Sequence, residues 1–217
     1  DEYTRDGVVG KWHTKWGESD FDLPLFGDFS VANVAAALGV ALHRGYPLSE
    51  ITTLLKRLPY IPGRMETYRI DGKPAVVVDY AHTPEALRLA LSAIRTHMDG
   101  RLICVFGCGG DRDQGKRSMM GTVVADQADM AIVTADNPRS EKVDFINRQI
   151  VEGFGNWDAY RVIPDRGSAV HEALKSASTD DVVLIAGKGH EDAQEINGKK
   201  NVFDDRDFVK KLLGLTD

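Results

Sequence analysis

Four short apolar runs constrain the fold of this chain more than any other feature. They are PAVVVDY (74–80), RLICVFG (101–107), MAIVTA (130–135) and DVVLIAG (181–187), all rich in valine, isoleucine or leucine. Continuous apolar runs of this length are typical of parallel strands that are buried on both faces. Amphipathic segments of helical length, such as PEALRLALSAIRTH (84–97), separate them. The alternation predicts an α/β fold: a Rossmann-like, doubly wound, mostly parallel sheet with helices on both faces.

Three further segments extend this prediction. ETYRIDGKPAV (66–76) and QEINGKKNVFD (194–204) each place a turn signal, Asp-Gly or Asn-Gly, between β-rich flanks. We therefore expect antiparallel strands added at the edges of the sheet. The final segment, KKNVFDDRDFVKKLLGL (199–215), predicts a closing helix whose apolar face lies on the sheet.

The first sixty residues follow a different pattern. VANVAAALGVALHRGYP (31–47) and LSEITTLLKRL (48–58) predict two helices, the second capped by Ser49. Upstream, VVGKWHTKW (8–16) and FDLPLF (21–26) predict short strands with too few partners for a sheet of their own.

Prolines and a glycine near residues 59–64 mark a linker. We place a domain boundary there, with one domain at 1–62 and a second at 63–217. The sequence has no initiator methionine, and its first thirty residues read as the end of a domain. We therefore expect a piece of a longer protein.

Charge and hydropathy argue against two kinds of partner. The chain has 27 Lys and Arg against 33 Asp and Glu, a formal net charge of −6, which disfavours non-specific nucleic-acid binding. No apolar run reaches the ~20 residues that a membrane-spanning helix needs, so no membrane insertion is expected. Cys104 and Cys108 lie ~13 Å apart in a strand, too far for a disulfide. Two reduced thiols and a cytoplasmic location are expected.

Each of the four predicted strands runs directly into a polar loop, and these loops are DYAHTP (79–84), GCGGDRDQGKR (107–117), ADNPRSE (135–141) and AGKGHE (186–191). Ligands of open parallel sheets bind at the carboxyl ends of the strands. The loops carry both signs of charge: Arg112, Arg139, Lys188 and His190 with Asp79, Asp136 and Glu191. Arginine grips carboxylates, and acidic side chains grip ammonium groups. One crevice that suits a zwitterion, such as an amino acid with more than one charged end, is therefore predicted.

One loop imitates a nucleotide-binding motif. GDRDQGK (110–116) fits the start of a phosphate-binding loop, but Arg117 stands where a Ser or Thr hydroxyl must bind Mg²⁺. Asp111 and Asp113 would also repel a triphosphate, so we reject that reading. Adjacent His190 and Glu191 are too weak a signal for a metal site, and none is predicted. The remaining histidines are expected at the surface or half-buried: His13, His43, His97 and His171.

The loops DYAHTP, GCGGDRDQGKR, DNPRSE and GKGHE, in this order and spacing, resemble the C-terminal half of the Mur ligase family. GDFSVANVAAAL (27–38) also resembles the last helix region of that family's central ATPase domain. The resemblance implies that 1–62 is the tail end of a truncated central ATPase domain and that 63–217 is the amino-acid-binding domain.

The resemblance also implies an activity, that of an ATP-dependent amide ligase of peptidoglycan synthesis. In this reaction ATP phosphorylates the γ-carboxylate of D-glutamate in UDP-N-acetylmuramoyl-L-alanyl-D-glutamate, and the amine of meso-diaminopimelate attacks the acyl phosphate. The family's GKT loop, its Mg²⁺ ligands and its modified lysine belong upstream of residue 1. The chain is therefore expected to hold no catalytic residue and to be inactive alone. ATP and Mg²⁺ are the implied cofactors, and a monomer is expected.

Site residues follow from the matching motifs. The implied diaminopimelate site consists of Arg112, Asp136, Asn137, Pro138, Arg139, Gly187 and Glu191. The implied ATP contacts are Asn33, Arg64, Asp79 and His82. Ser30 departs from the family pattern, since relatives often have asparagine there.

Two alternatives remain open at this point. One is another ligase of the same superfamily, such as a folylpolyglutamate synthase, although those relatives tend to differ at the DYAHTP loop and to lack DNPR. The other is a stand-alone amino-acid-binding module with a Rossmann-like fold. An in-frame G-x-x-G-K-T segment upstream of Asp1 would favour the ligase, and a native start codon near Asp1 would favour the module.

Overall fold

A computed structural model describes residues 2–215, and the chain divides into two compact units. The first runs to Tyr60 and includes Ala93–Met98, and the second comprises Ile61–Ser92 and the chain from Asp99 onward. The division at Tyr60 falls inside the segment that the sequence marks as a linker.

In the first unit, β1 (Glu2–Thr4), β2 (Gly7–Thr14) and β3 (Gly17–Leu23) form an antiparallel sheet. The expectation that these strands lack partners for a sheet is therefore wrong. β2 and β3 pair over seven residues, from Val8 opposite Leu23 to Thr14 opposite Gly17. The prediction failed because the register of β3 (GESDFDL) with β2 decides the pairing, and β3 buries only Phe21 and Leu23.

Helices α1 (Asp28–His43) and α2 (Leu48–Leu55) follow, as the periodicity predicts. The predicted cap of α2 is wrong by two positions. Pro47 occupies the N-cap position with φ −66°, and Ser49 lies inside the first turn, where its carbonyl accepts a hydrogen bond from Thr53. No side chain caps this helix, and the Pro47 carbonyl accepts from the N–H groups of Glu50 and Ile51, both at 3.2 Å.

His97 corrects a second expectation, because it is buried rather than exposed or half-buried. Its ring stacks on Phe26 with centroids 4.3 Å apart. The Gly27 N–H donates to Nε2 at 3.1 Å, and Nδ1 lies 2.7 Å from the Thr4 carbonyl, which accepts its proton. Two hydrogen bonds and a stacked ring explain why this histidine packs inside the first unit.

The second unit is built on a six-stranded sheet with the order β4-β5-β9-β6-β7-β8. Its strands are β4 (Glu66–Tyr68), β5 (Ala75–Asp79), β6 (Leu102–Phe106), β7 (Met130–Val133), β8 (Tyr160–Val162) and β9 (Val182–Ala186). The four predicted strands pair in parallel, and β4 is an antiparallel edge strand, as predicted. β8, a parallel partner of β7, was not predicted, because its three residues carry no buried apolar run.

Five helices flank this sheet or connect its strands: α3 (Pro84–His97), α4 (Gly115–Gln127), α5 (Val143–Glu152), α6 (Arg166–Ser176) and α7 (Asp205–Leu213). Helices α6 and α7 pack on one face, where Val170 and Val209 join Val76, Ile103 and Val183 in one core cluster. The predicted closing helix is therefore confirmed. None of the described helices has the length and apolar character needed to cross a membrane.

The Asn-Gly turn forms as predicted, but its position differs. β10 (Ala193–Ile196) and β11 (Lys199–Val202) make a separate two-stranded antiparallel sheet and do not extend the main sheet. Ile196 instead bridges to Arg139, in the loop after β7. The hairpin thus reaches the region where the polar loops meet.

Both cysteines are buried and neither is paired in a disulfide. Burial raises the pKa of the Cys108 thiol to about 12 and that of Cys104 still further. Since the thiolate is the reactive form, the native protein at pH 8 should react with a disulfide reagent far more slowly than the denatured protein. We expect the denatured, unreduced protein to give a count of two thiols. A count of zero, or equal native and denatured rates, would contradict this assignment.

Candidate functional site

The four polar loops lie together at the carboxyl ends of the parallel strands. The Gly187 N–H donates to the Asp79 carbonyl at 3.1 Å, which joins the ends of β9 and β5. The Thr134 N–H donates to the Phe106 carbonyl at 2.9 Å, which joins the ends of β7 and β6. The predicted convergence of these loops is confirmed, because the sheet order makes their strands neighbours.

The DNPR turn is held by the β10–β11 hairpin. Arg139 has a left-handed φ of 50°, its N–H donates to the Glu195 carbonyl at 3.0 Å, and its carbonyl accepts from Asn197 at 2.7 Å. The guanidinium donates to the Gly110 carbonyl at 2.8 Å and lies 3.2 Å from the Glu195 carboxylate. The Arg139 side chain remains 21% exposed, so a fixed arginine faces solvent at this turn.

Lys188 connects Asn137 and Glu191. It is fully buried, and its Nζ donates to the Ala193 carbonyl at 2.5 Å, Glu191 Oε2 at 3.1 Å and Asn137 Oδ1 at 3.3 Å. Asn137 Nδ2 also donates to Glu191 Oε2 at 2.8 Å. Burial alone would raise the pKa of Glu191, but these hydrogen bonds outweigh it and hold that pKa below its ordinary value. Glu191 therefore presents a negative charge at neutral pH.

Asp136 and Gly187 lie in close contact at the ends of β7 and β9. A Cβ on Gly187 would lie 2.6 Å from Asp136 Oδ2, and Gly187 has a φ of +117°. Both facts require glycine at this position. Burial raises the pKa of Asp136, against the lowering effect of Arg166 and Lys188. Asp136 is thus a deep member of the site, with only 7% of its surface exposed.

Arg166 and Asp205 form a buried ion pair beneath these residues. Arg166 Nε donates to Asp205 Oδ1 at 2.8 Å, and Nη2 donates to Oδ2 at 2.7 Å. The same guanidinium donates to the carbonyls of Ala186 and Ala135, at 3.0 and 3.3 Å. Those alanines directly precede Gly187 and Asp136. Arg166 therefore fixes both strand ends, a role that sequence reasoning missed.

Three of the four residues implied for ATP lie around the end of β5. Asp79 Oδ2 accepts from the Met65 N–H and Oδ1 from the Ala81 N–H, both at 2.8 Å. Burial raises the pKa of Asp79, against the lowering effect of these bonds. The Arg64 guanidinium lies 4.5 Å from the centre of the Tyr80 ring, and His82 Nδ1 lies 2.8 Å from the Tyr80 carbonyl.

Asn33 belongs to the first unit, where it lies on α1 and is exposed. Arg112 is exposed on the loop after β6, where its Nη1 donates to the Asp111 carbonyl at 3.1 Å. Lys116 Nζ donates to the His82 carbonyl at 2.9 Å, and Arg117 is fully buried. A buried arginine cannot replace the metal-binding hydroxyl of a phosphate-binding loop, which supports the exclusion of that motif.

Glu195 holds the site but, like Arg166, gave no sequence signal. Glu195 contacts Arg139 only because the hairpin folds back on the DNPR turn, and its register with that turn could not be read from the sequence. Pro138, whose ring fixes its own φ, directly precedes Arg139. Among residues 2–215, no group of three or more His, Cys, Asp or Glu side chains is arranged to hold a metal ion.

A mostly parallel α/β sheet with helices on both faces and charged loops at its carboxyl ends defines a doubly wound α/β domain, whose ligands bind at that edge. A family profile described as "Mur ligase, glutamate ligase domain" matches residues 63–189, more than half of the chain. The chain therefore belongs to the Mur ligase family.

Two individual relatives within this family are similar to nearly the whole chain. UDP-N-acetylmuramoyl-L-alanyl-D-glutamate--2,6-diaminopimelate ligases of Prochlorococcus marinus strains NATL1A and NATL2A are each 46% identical to this chain. The alignments cover 97% of this chain but 43% of each relative, so the chain spans less than half of their length.

Solved structures show the same relationship. A structure of a UDP-N-acetylmuramoyl-L-alanyl-D-glutamate--2,6-diaminopimelate ligase is 38% identical, with a TM-score of 0.77 over 99% of this chain and 44% of its own. The folylpolyglutamate synthase of Mycobacterium tuberculosis complexed with ADP, at 23% identity and a TM-score of 0.69 over 86% of this chain and 43% of its own, shares the fold.

The buried ion pair between Arg166 and Asp205 leads to a prediction about stability. Asp205→Asn leaves the Arg166 charge without its carboxylate, and breaking a buried pair in this way costs about 3 kcal/mol of unfolding free energy. Asp207→Asn is the matched control, since Asp207 lies in the same first turn of α7 with a side chain that is 77% exposed. Asp207→Asn should lower the unfolding free energy by less than about 0.5 kcal/mol. Urea unfolding followed by circular dichroism measures both, and equal losses would contradict the role of the pair.

Proposed function

We propose that this chain is the C-terminal part of an ATP-dependent amide ligase of peptidoglycan biosynthesis. The full-length enzyme would add meso-diaminopimelate to UDP-N-acetylmuramoyl-L-alanyl-D-glutamate. The observation that carries the proposal is the mixed-charge cluster in which Arg139, Asn137, Lys188 and Glu191 meet. Two relatives with 46% identity over nearly the whole chain bear the name of this activity and support the choice of substrate.

The cluster has the chemistry that diaminopimelate requires. The amino acid carries an ammonium group and a carboxylate at each end. Arg139, with its guanidinium fixed yet partly exposed, suits one carboxylate, and exposed Arg112 would assist it. Glu191, kept ionised by Asn137 and Lys188, suits an ammonium group. We assign Asp136, Pro138 and Gly187 to the walls of the same site.

In the proposed reaction, ATP transfers its γ-phosphoryl group to the γ-carboxylate of D-glutamate. The diaminopimelate amine then attacks the acyl phosphate, and the amide forms as inorganic phosphate leaves. This chain would hold the attacking amine in place, and orienting two reactants contributes up to about 7–11 kcal/mol in the best cases. We assign Asn33, Arg64, Asp79 and His82 to ATP, and place Mg²⁺ mainly with residues outside this chain.

We further propose that residues 1–62 are the end of the central ATP-binding domain and that 63–217 form the amino-acid-binding domain. The enzyme is expected to act in the cytoplasm as a monomer. The folylpolyglutamate synthase alternative is supported by fold alone, at 23% identity, and the alternative of a stand-alone amino-acid-binding module stays open. The upstream gene sequence separates these readings.

Arg139 should set the choice of amino acid. Diaminopimelate exceeds lysine by one carboxylate, and a charge-assisted hydrogen bond contributes about 1.5–3 kcal/mol, or roughly 10- to 150-fold in affinity. Arg139→Ala should reduce discrimination between diaminopimelate and L-lysine by that factor in competitive calorimetric titrations. Arg88→Ala, which removes an exposed arginine on α3, is the control and should leave discrimination unchanged. An Arg139→Ala protein that discriminates as well as its parent would show that the assignment is wrong.

The chain alone should not catalyse the ligase reaction. Its sole candidate for a phosphate-binding loop ends in Arg117, so we expect no substrate-dependent release of ADP when ATP, Mg²⁺, diaminopimelate and the UDP-linked dipeptide are supplied. A coupled ADP assay measures this, with the full-length ligase as the positive control. ATP cleavage by the 217-residue chain at a rate near that of the full-length enzyme would overturn the assignment of phosphoryl transfer to other residues.

A further inference from the structure

A buried ion pair connects the loop after β6 to the loop after β7. Arg117, in the first turn of α4, is fully buried. Its Nη1 donates to Glu141 Oε2 at 2.9 Å, and its Nη2 donates to Glu141 Oε1 at 2.8 Å. Such a two-point contact fixes orientation as well as distance. Glu141 follows the DNPR turn by two residues, so Arg117 anchors the loop that carries Arg139.

Glu141 also holds the other loop. Its Oε1 accepts from the Asp111 N–H at 2.6 Å, directly before Arg112. Asp111 in turn accepts from the Ser140 hydroxyl at 2.6 Å and from the Ser140 N–H at 3.2 Å. Glu141 and Asp111 thus cross-link the two loops that carry Arg112 and Arg139. Asp111 directly precedes Arg112, and only Ser140 separates Glu141 from Arg139.

The backbones of the two loops are in contact beside this cross-link. The Gly110 N–H donates to the Asn137 carbonyl at 2.9 Å, and a Cβ on Gly110 would lie 1.9 Å from the Pro138 carbonyl oxygen. Asp111 holds a left-handed φ of 52°, which is uncommon for a residue other than glycine. The surrounding contacts therefore impose one arrangement of the loops.

Stability alone does not account for the pair. Buried ion pairs are often no more stabilising than apolar side chains of the same volume. Arg117 Nε is buried with no hydrogen-bond partner in the described part of the chain, which adds a desolvation cost. Glu141 is not a general core residue either, because its side chain is 17% exposed beside the site. The Arg117 hydrogen bond holds the pKa of Glu141 below its usual value and keeps the pair charged.

We propose that Arg117 and Glu141 are positioning residues of the amino-acid site, which fix the separation of Arg112 and Arg139 so that both address one amino acid. This inference rests on the proposed function. Neither residue needs to touch the substrate. Removing the cross-link should let the two arginines move independently, and misplacement of a binding group by about 1 Å costs up to about 100-fold.

Glu141→Gln in the full-length ligase tests the proposal. Glutamine keeps the shape but removes the charge and one acceptor oxygen. We expect the KM for diaminopimelate to rise about 10- to 100-fold, with the KM for ATP unchanged. A merely structural role would lower the active fraction, and therefore the apparent kcat, without moving either KM.

Asp181→Asn is the matched control. Asp181 is a buried carboxylate that accepts four hydrogen bonds from Arg101 and Ser178, and it lies at the amino end of β9, opposite the site. This variant should lower the melting temperature and leave both KM values unchanged. Glu141→Gln with an unchanged KM for diaminopimelate, or Asp181→Asn with the same rise, would overturn the proposal.

A second variant tests the same inference in case Glu141→Gln does not fold. Arg117→Lys keeps the charge but cannot make the two-point contact, and the same selective rise in the KM for diaminopimelate is expected. An unchanged KM in this variant contradicts the inference even if Glu141→Gln does not fold. A parent enzyme that uses ATP but not diaminopimelate would instead overturn the proposed function, so the two failures are distinguishable.

Discussion

The site depends first on the bonds that the Arg166 guanidinium makes at the ends of β7 and β9. Beyond the last paired residues of a parallel strand, the backbone carbonyls have no N–H of a neighbouring strand to accept from. A buried carbonyl at this point requires another donor. Arg166 supplies donors to Ala135 and Ala186 and is neutralised by Asp205 of α7. One buried pair thus joins two strands and two helices directly beneath the loops. The site loops therefore start from fixed points.

Charges alternate in sign from this pair outward. The buried Arg166 pairs with Asp205 and the buried Lys188 pairs with Glu191, and the Asp136 carboxyl group, whose pKa is raised by burial, lies near both cations. Arg139 lies closer to solvent and meets Glu195. Each buried charge is compensated by a neighbour of opposite sign, which reduces the cost of desolvating it. The arrangement can present ionised groups of both signs without relying on solvent, as recognition of a zwitterion requires.

The sequence predicts the four central strands of the main sheet and the loops that follow them, but not which side chains hold those loops together. The continuous apolar runs of β5, β6 and β9 are buried on both faces, so their pattern identifies them as central strands. β3 was missed as a sheet member because its register with β2, not its composition, decides the pairing. In the same way, Arg139 was predicted from its loop, whereas Glu195 lies 56 positions further along the chain. Contacts between distant elements leave no local pattern in a single sequence.

The DNPR turn shows why such contacts matter for function. A left-handed backbone at Arg139 would favour glycine, and an ordinary residue in such a conformation carries a cost of about 1–3 kcal/mol. Glycine would relieve the strain but would remove the guanidinium. The chain instead keeps arginine and fixes its backbone on both sides, through Glu195 and Asn197 of the hairpin. The hairpin is itself largely solvent-exposed along β11, so its contact with the turn offsets strain at the residue that faces the site. The contact between the β10–β11 hairpin and the DNPR turn thus offsets a local conformational cost at Arg139, the residue that we propose recognises a carboxylate.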